Sequence, residues 1–279
     1  MSEFVFNGKF YKPNVSIAGP ASRGLRYGDG LFETMKMVDS KIFHQDAHFE
    51  RLWNGLDVLQ FDKLSTSSKQ ALQHLIYELA KKNGHEKFAR IRVNVFRSDG
   101  GLYDAINNKP NYILETWTLS DDNGLWNSNG LICGIFKNAW KSCDILSNIK
   151  HNNYLPYVLA ALEAKKEKWN DAIVLNQFGR VSDSTIANIF IVKNGKISTP
   201  SLNEGCVSGI MRKYLIEYLR VNNFDFDEAE ITEEYLLNAD EVFLTNSIND
   251  IRWVQRIGDT NYSNKITKKI QEGFLPTIY

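Results

Sequence analysis

The sequence predicts an α+β protein, in which strands and helices follow one another without the regular order of a parallel βαβ series. Two observations favour this class. Short runs with strict apolar–polar alternation stand beside longer segments whose apolar residues recur at helical spacing. Asn7-Gly8 and Asn194-Gly195 each separate two apolar runs, which is typical of hairpins. The hydrophobic content of 43% over 279 residues is enough for one large core or two packed domains.

Periodicity and turn chemistry predict the elements of the first half of the chain. In chain order these are a hairpin over 4–11, a hairpin over 31–43, a helix capped by Asp46, a helix opened by Ser67 or Ser68 and ended by Asn83-Gly84, and strands over 89–97 and 112–119.

The polar, turn-rich stretch 120–124 predicts a linker between an N-terminal domain, 1–119, and a C-terminal domain, 125–279. The same signals predict the elements of the second domain. In chain order these are a strand over 131–137, a loop that ends at Lys150, a helix over 153–169, strands over 172–175, 189–192 and 196–198, a helix over 209–221, a strand over 241–245 and a helix over 263–272.

Charge and cysteine usage exclude several classes of function as a default. Thirty-three basic and 33 acidic residues balance, so no overall charge attracts nucleic acid or anionic lipid. No apolar run approaches the roughly 20 residues that span a bilayer, and the acidic start does not resemble a secretory signal. Three cysteines and five histidines lack metal-ligand spacing. We therefore expect a cytoplasmic protein with no metal, no membrane and no nucleic-acid partner.

The strand predicted over 89–97 places Ile91 and Val93 on one face and Arg90, Arg92 and Asn94 on the other. The polar face has two interpretations. It is either the solvated side of a half-buried strand, which periodicity favours, or a surface that presents cations to an anionic substrate.

Three segments carry residue types suited to catalysis, although each also has an ordinary structural interpretation. Lys150, among apolar neighbours at a loop–helix junction, is either a surface lysine or a Schiff-base amine held off solvent. Asp183 is either a turn residue or the carboxylate partner of a pyridinium nitrogen. The segment 206–212 opens a helix, either as a serine cap or as an anion site made of N-terminal amides. Phosphate-loop, dinucleotide-binding and nucleophile-elbow motifs do not occur in the sequence.

Together these segments resemble the class IV aminotransferases, which are fold-type IV pyridoxal-phosphate enzymes. The matches run in the family's order from 23–34, through His48-Phe49-Glu50-Arg51-Leu52, to 243–247. The resemblance implies two domains, a smaller N-terminal α/β domain and a larger C-terminal domain with a barrel-like sheet. It also implies a homodimer, active sites between the domains, and pyridoxal 5′-phosphate as the cofactor.

The resemblance further implies roles for single residues. Lys150 matches the lysine that forms the Schiff base and shuttles a proton, and Arg51 matches the arginine that binds the cofactor phosphate. Gly209-Ile210-Met211 matches a loop whose amides complete the phosphate site, and Ser247 matches a hydroxyl on that phosphate. Tyr154 lies near a tyrosine that contacts the cofactor O3′ in branched-chain enzymes, at a spacing one residue shorter.

Asp183 departs from the family pattern, which usually has glutamate at this position. Aspartate keeps the charge but is one methylene shorter, so the ring or the backbone must lie closer. We expect Asp183 to stabilise the proton on the pyridine nitrogen, which makes the ring an electron sink.

Three segments favour an aminodeoxychorismate lyase within the family: Phe32-Glu33-Thr34, the loop 97–103 and Thr245-Asn246-Ser247-Ile248. The expected substrate contacts are Phe32, Arg92, Arg97, Asn246 and Ile248, with the two arginines on substrate carboxylates. The alternative is an aminotransferase that uses branched-chain or D-amino acids with a 2-oxo acid acceptor. A cofactor-binding protein without turnover is a third reading, against which the joint presence of Lys150, Arg51 and Asp183 argues.

Overall fold

The computed structural model describes residues 2–62 and 66–279, and their contacts divide the chain into two compact units. The first unit contains Met1–Asn123 and Ile149–Asn153, and the second contains Gly124–Asn148 and Tyr154–Tyr279. The chain thus leaves the first unit beside the predicted linker 120–124 and returns to it for one short segment. The sequence did not indicate this return, and the boundaries of independently folding domains stay a prediction.

The first unit is an antiparallel sheet whose apolar face is covered by its two longer helices. Among its described residues the strand order is β2-β1-β6-β5-β3-β4. The elements are β1 (Phe4–Phe6), β2 (Lys9–Tyr11), α1 (Arg23–Tyr27), β3 (Gly30–Val38), β4 (Lys41–Ile42), α2 (Gln45–Val58), α3 (Thr66–Asn83), β5 (Phe88–Arg97) and β6 (Pro110–Thr118).

The two faces of this sheet follow from the alternation in its strands. Pairing of β3 with β5 sets Thr34 beside Arg92 on one face, with Glu115 of β6 on the far side of Arg92. The opposite face carries Met35 and Ile91, which are fully buried in a core shared with α2 and α3. One face is therefore polar and the other is apolar, as the pattern in 89–97 predicts.

The second unit is built on a mixed sheet. Among the described residues its strand order is β12-β11-β10-β13-β14-β7-β8-β9, and β15 pairs with β14. The elements are β7 (Leu131–Lys141), α4 (Leu155–Lys166), β8 (Asp171–Asn176), β9 (Val181–Ser184), β10 (Asn188–Lys193), β11 (Lys196–Pro200), a 3₁₀ turn (Leu202–Glu204), α5 (Ile210–Val221), β12 (Phe226–Ala229), α6 (Glu233–Leu237), β13 (Glu241–Asn246), β14 (Asp250–Ile257), β15 (Thr260–Asn261) and α7 (Lys265–Ile278).

Several predictions about local structure are confirmed. Asn7 and Gly8 have φ of 47° and 82°, and the strands on either side of them pair as a hairpin. Helix α4, Leu155–Lys166, lies within the predicted range 153–169, and its Pro156 is in the first turn, where a missing N–H costs little. The predicted cap of α2 is wrong, because this helix begins at Gln45 after His44 in the left-handed region, and Asp46 lies in its first turn.

Within the described residues, no helix is both long enough and apolar enough to cross a membrane. The same residues contain no cluster of potential metal ligands, and their three cysteines are free.

Candidate active site

Backbone pairing with β3 fixes the position of Lys150. The carbonyl of Lys150 accepts a 2.9 Å hydrogen bond from the N–H of Phe32, and Asn152 donates its N–H to the carbonyl of Gly30 at 2.8 Å. A side chain at Gly30 is excluded, because a Cβ there would lie 2.1 Å from the carbonyl oxygen of Val95. That Cβ would also lie 2.7 Å from Nδ2 of Asn152, so glycine at position 30 allows the segment 149–153 to approach β3 closely.

The ring of Phe32 contacts two cations of the first unit. The Nζ of Lys150 lies 4.5 Å from the ring centroid, and the guanidinium carbon of Arg92 lies 4.0 Å from it. Burial lowers the pKa of Arg92, against the opposing effect of the Glu115 carboxylate. The structure thus brings together Lys150, Phe32 and Arg92, three of the residues expected from the sequence.

Arg51 lies on α2 and is held by Glu33 of β3. The guanidinium donates from Nε to Oε1 of Glu33 at 2.7 Å and from Nη2 to Oε2 at 2.7 Å. The Nδ1 of His48 lies 2.7 Å from the same Oε2. The motifs that contain Glu33 and His48 were part of the family resemblance, but they did not predict a role for these two residues. The sequence could have indicated that Glu33 is buried, since it has the same parity along β3 as the buried Leu31 and Met35.

Asp183 lies in β9 and is 2% exposed. Its Oδ2 accepts hydrogen bonds from the Tyr157 hydroxyl at 2.7 Å and the Val207 N–H at 2.9 Å, and Lys141 Nζ lies 3.4 Å away. Its Oδ1 accepts one hydrogen bond, from the side-chain amide of Asn188 at 2.8 Å. These contacts form a cage around the carboxylate that the sequence alone did not reveal.

The electrostatic state of Asp183 follows from that cage. Burial raises the pKa of Asp183 above its usual value, while Lys141, the Val207 N–H and the Tyr157 hydroxyl oppose the shift. Burial also raises the pKa of Tyr157 well above the ordinary range, so this phenol stays a proton donor. A buried carboxylate of this kind gains strongly from a further cationic donor.

The loop before α5 is packed against Asn188. Gly209 has no room for a side chain, because a Cβ there would lie 1.8 Å from the side-chain oxygen of Asn188. The N–H of Gly209 donates to the carbonyl of Val207 at 2.7 Å, so it is used inside the loop. Ile210 and Met211 are the first residues of α5, where backbone N–H groups lack acceptors within the helix.

Tyr154 precedes α4 and stacks on Tyr157, with the ring centroids 4.6 Å apart. Because Tyr157 contacts Asp183, this stacking places Tyr154 next to the cage of the second unit. The expected contact of Tyr154 with the cofactor O3′ stays a prediction.

The turn between β13 and β14 contains Ser247 and Ile248, both half-buried. The side-chain oxygen of Asn246 accepts the N–H groups of Ile248 at 2.9 Å and of Asn249 at 2.8 Å. Asn246 therefore shapes the turn through its oxygen. Substrate contacts of Asn246 and Ile248, and a phosphate contact of Ser247, remain predictions.

Arg97 does not join the other expected substrate residues. It is 7% exposed, and it donates from Nε to Asp29 at 3.0 Å, from Nη1 to Asn108 at 2.7 Å and from Nη2 to the carbonyl of Leu59. Its parity along β5 is that of Ile91 and not of Arg92, so the strand turns it to the apolar face. The guanidinium of Arg97 thus has partners within the protein, Asp29 among them, in place of the expected substrate carboxylate.

Comparisons with known proteins agree with the resemblance to the class IV aminotransferases. A family model described as class IV amino-transferase matches residues 30–257. The aminodeoxychorismate lyase of Bacillus subtilis (strain 168) is 28% identical over 262 residues, which cover 93% of this chain and 88% of that protein. A putative branched-chain-amino-acid aminotransferase of Methanocaldococcus jannaschii is 29% identical over 273 residues, 96% of this chain and 93% of its own. The crystal structure of the branched-chain aminotransferase of Thermoproteus uzoniensis with norvaline superposes with a TM-score of 0.88 at 23% identity, covering 99% of this chain and 94% of that one.

The fold is that of the fold-type IV enzymes, which confirms the α+β class predicted from the sequence. The chain belongs to the class IV aminotransferase family, whose members depend on pyridoxal 5′-phosphate. The expected cofactor and the expectation of an enzyme are thereby confirmed at the level of the family.

Each unit by itself contains residue types that fit this cofactor. The first unit supplies a lysine amine beside an aromatic ring and an arginine held in a fixed orientation. The second supplies a buried carboxylate and a helix start that excludes a side chain at Gly209. The hydroxyl of Thr245 is buried and has no hydrogen-bond partner among the described residues. Amine, carboxylate, guanidinium and helix N-terminus are the groups that a phosphorylated pyridine aldehyde requires.

Proposed function

We propose that the protein is a pyridoxal-phosphate-dependent 4-amino-4-deoxychorismate lyase, which releases 4-aminobenzoate and pyruvate. The observation that carries the proposal is the position of Lys150 and Arg92 against one aromatic ring, that of Phe32. Such a surface suits a flat ring with an amine at one end and a carboxylate at the other. The identity to aminodeoxychorismate lyases, 28% and 29% over most of the chain, supports the same choice.

In this proposal the cofactor is bound by Lys150, Arg51, Tyr154, Asp183, Ser247 and the loop Gly209-Ile210-Met211. Ile210 and Met211 contribute backbone N–H groups, whereas Gly209, whose own N–H bonds Val207, contributes by lacking a side chain. Bound pyridoxal phosphate supplies an electron sink for the carbon that bears the substrate amine. Lys150 removes the proton from that carbon, which it can do as a neutral amine once the substrate amine has displaced it. Asp183 stabilises positive charge at the ring nitrogen, and Arg51 holds the phosphate.

Arg92 orients the ring carboxylate of the substrate, and Phe32, Asn246 and Ile248 line the remainder of its site. The bond between the substrate ring and the enolpyruvyl oxygen then breaks. The leaving group takes up a proton and becomes pyruvate, while the ring becomes aromatic. Water need not enter this elimination, so the apolar surface of Phe32 is compatible with it.

Pyruvate release tests the reaction. The purified protein with pyridoxal phosphate is incubated with 4-amino-4-deoxychorismate in the absence of any 2-oxo acid, and pyruvate and 4-aminobenzoate are followed. The proposal expects equal amounts of both products. The Lys150→Ala variant should lose turnover by about 10³-fold or more, together with the visible absorption of the bound cofactor. A matched variant at an exposed lysine, Lys137→Ala, should retain both.

The alternative is an aminotransferase for branched-chain or D-amino acids. The identity of 29% to a putative branched-chain aminotransferase and of 27% to a D-alanine aminotransferase of Staphylococcus haemolyticus supports it. A panel of L- and D-amino acids with 2-oxoglutarate separates the two reactions. Turnover that requires the oxo acid, without release of pyruvate from aminodeoxychorismate, would establish the aminotransferase.

A homodimer is part of the proposal, and α4 supports it. This helix buries Tyr157, Ala160 and Ala164 against its own sheet. Its other side is also apolar and exposed. The four residues at 47–65% exposure are Leu155, Val158, Leu159 and Leu162. A contiguous apolar stripe of this kind is typical of protein interfaces.

Analytical ultracentrifugation tests the dimer. Wild type is expected to sediment as a dimer at micromolar concentration, and Leu159→Glu should raise the dissociation constant about tenfold or more. Val221→Glu, at an apolar residue of α5 that is 73% exposed, is the matched control. A wild-type protein that sediments as a monomer contradicts this part of the proposal.

A further inference from the structure

A buried ionic network joins β3 to α2 in the first unit. Glu33 points to the apolar face of the sheet and is 1% exposed, and His48 is fully buried. On α2, His48 and Arg51 are three residues apart, so both project from one side of the helix toward Glu33. The three hydrogen-bonding contacts to the carboxylate are each 2.7 Å long.

The contact between Glu33 and Arg51 fixes a direction as well as a distance. Nε donates to one carboxylate oxygen and Nη2 to the other, which is the two-pronged geometry of a planar guanidinium. A single contact would leave the guanidinium free to rotate, whereas two parallel bonds remove that freedom. Since the Nε–Nη2 edge faces Glu33, an anion must meet Arg51 through its other N–H groups.

His48 restrains the carboxylate itself. Burial lowers the pKa of His48, although the Glu33 carboxylate opposes the shift, so the imidazole is neutral near pH 7. A neutral ring with its proton on Nδ1 donates to Oε2 without adding a second positive charge. Burial alone raises the pKa of Glu33, but Arg51 and His48 lower it to about 2, and the carboxylate therefore remains ionised.

Building on the proposed function, in which Arg51 binds the cofactor phosphate, we infer that Glu33 is a positioning residue for phosphate recognition. Glu33 holds Arg51 in the orientation that meets the phosphate, and His48 holds Glu33. If Glu33 only neutralised Arg51, its removal would strengthen phosphate binding, whereas loss of a positioning residue weakens it.

The test compares two ligands that differ only in the phosphate. Apo protein is titrated with pyridoxal 5′-phosphate and with pyridoxal, and the ratio of the two dissociation constants measures the contribution of the phosphate. The variants are Glu33→Gln, which keeps the shape and removes the charge, and Glu33→Asp, which keeps the charge but moves the carboxylate away from Arg51 by the length of one methylene. Glu50→Gln, at an exposed position of α2, is the control.

Glu33→Gln should weaken pyridoxal phosphate binding about tenfold or more and change pyridoxal binding less than about twofold, as for the loss of a charged hydrogen-bond pair. Glu33→Asp should give an intermediate ratio, and the control should match wild type. General damage to the fold weakens both ligands together, and this result would overturn the inference. A ratio that is unchanged or larger in Glu33→Gln and Glu33→Asp would overturn it as well.

Arg51→Gln separates this inference from the proposal on which it depends. If wild type binds both ligands equally, or Arg51→Gln keeps the phosphate preference, the phosphate role of Arg51 is wrong and the inference falls with it. If Arg51→Gln loses the preference while Glu33→Gln keeps it, only the positioning role of Glu33 is overturned.

Discussion

The hydroxyl of Tyr157 donates a 2.7 Å hydrogen bond to Oδ2 of Asp183, and both side chains are almost completely buried. The same oxygen also accepts the N–H of Val207. A carboxylate with two firm donors on one oxygen cannot turn freely, so Oδ1 keeps a fixed direction. These hydrogen bonds thereby hold the Asp183 carboxylate in one orientation.

Replacement of Asp183 by asparagine should therefore remove most activity. The amide has nearly the same shape, but it carries no charge and it places an NH₂ group where one of the present donors points. We expect kcat to fall by about 10²-fold or more, on the scale of a lost electrostatic contact in a buried site. Steady-state kinetics check the result, and an asparagine variant with wild-type kcat would remove Asp183 from the mechanism.

The variant Asp183→Glu introduces the residue that the family pattern usually has at this position, and it should still be impaired. Its extra methylene has to fit a cage formed by Tyr157, Asn188 and Val207, which costs about 1–3 kcal/mol of unfolding free energy. Urea denaturation of the apo protein measures this cost. A glutamate variant as stable as wild type would show that the cage adapts.

Gly209→Ala tests the close contact before α5. The new Cβ would meet the side-chain oxygen of Asn188, which also helps to hold Asp183 through its amide. We expect the free energy of unfolding to fall by about 1–3 kcal/mol and the dissociation constant for pyridoxal phosphate to rise. Gly19→Ala is the control, because a Cβ at Gly19 has no atom within 4 Å. Equal behaviour of the two variants would contradict the tight packing.

The two arginines of β5 should respond differently to replacement by methionine. Arg97→Met removes a buried partner of Asp29 and should destabilise the fold by about 3–5 kcal/mol. Arg92→Met should leave stability nearly unchanged and raise KM for aminodeoxychorismate about tenfold or more. Thermal unfolding and kinetics on both variants decide between these roles. A normal KM in Arg92→Met would exclude this residue as the carboxylate ligand.

Acid should destabilise the protein partly through Glu33. Because its pKa in the folded protein, about 2, lies below the usual value, its stabilising effect is present above about pH 4.3 and is lost as the pH falls toward 2. The Glu33→Gln variant should therefore lose less stability than wild type across this range. Urea unfolding of the apo forms at pH 5, 4 and 3 checks the slope, and parallel slopes would refute the assignment.

Sequence patterns predict the fold class and most hairpins, whereas the roles of the site residues stay predictions that follow from the family resemblance. These patterns fail where an element or a contact depends on segments that are distant in the sequence. Strand β14 was not predicted, because its central place depends on parallel pairing with β7 that includes an irregular step at Val254 and Arg256. Asn188 is five residues from Asp183 along the chain, but Val207, Tyr157 and Lys141 are 24, 26 and 42 residues away, and no local pattern joins them to Asp183.

Arg97 shows the opposite case, in which the sequence held an unused signal. Strict alternation from Ile91 already places position 97 on the apolar face, so a buried, internally paired arginine was the better prediction. The same rule applied to Glu33 indicates a buried carboxylate that needs a partner. Parity along a strand is thus informative for charged residues as well as for apolar ones.

The short return of the chain to the first unit, Ile149–Asn153, has a consequence for synthesis. When the ribosome has made only the first 123 residues, the N–H of Phe32 and the carbonyl of Gly30 still lack the partners they have in the finished unit. The first unit therefore cannot be completed until residue 153 has left the exit tunnel. A fragment cut at the obvious linker would expose that edge of β3, and the lysine central to the proposed reaction arrives only with the segment that covers it.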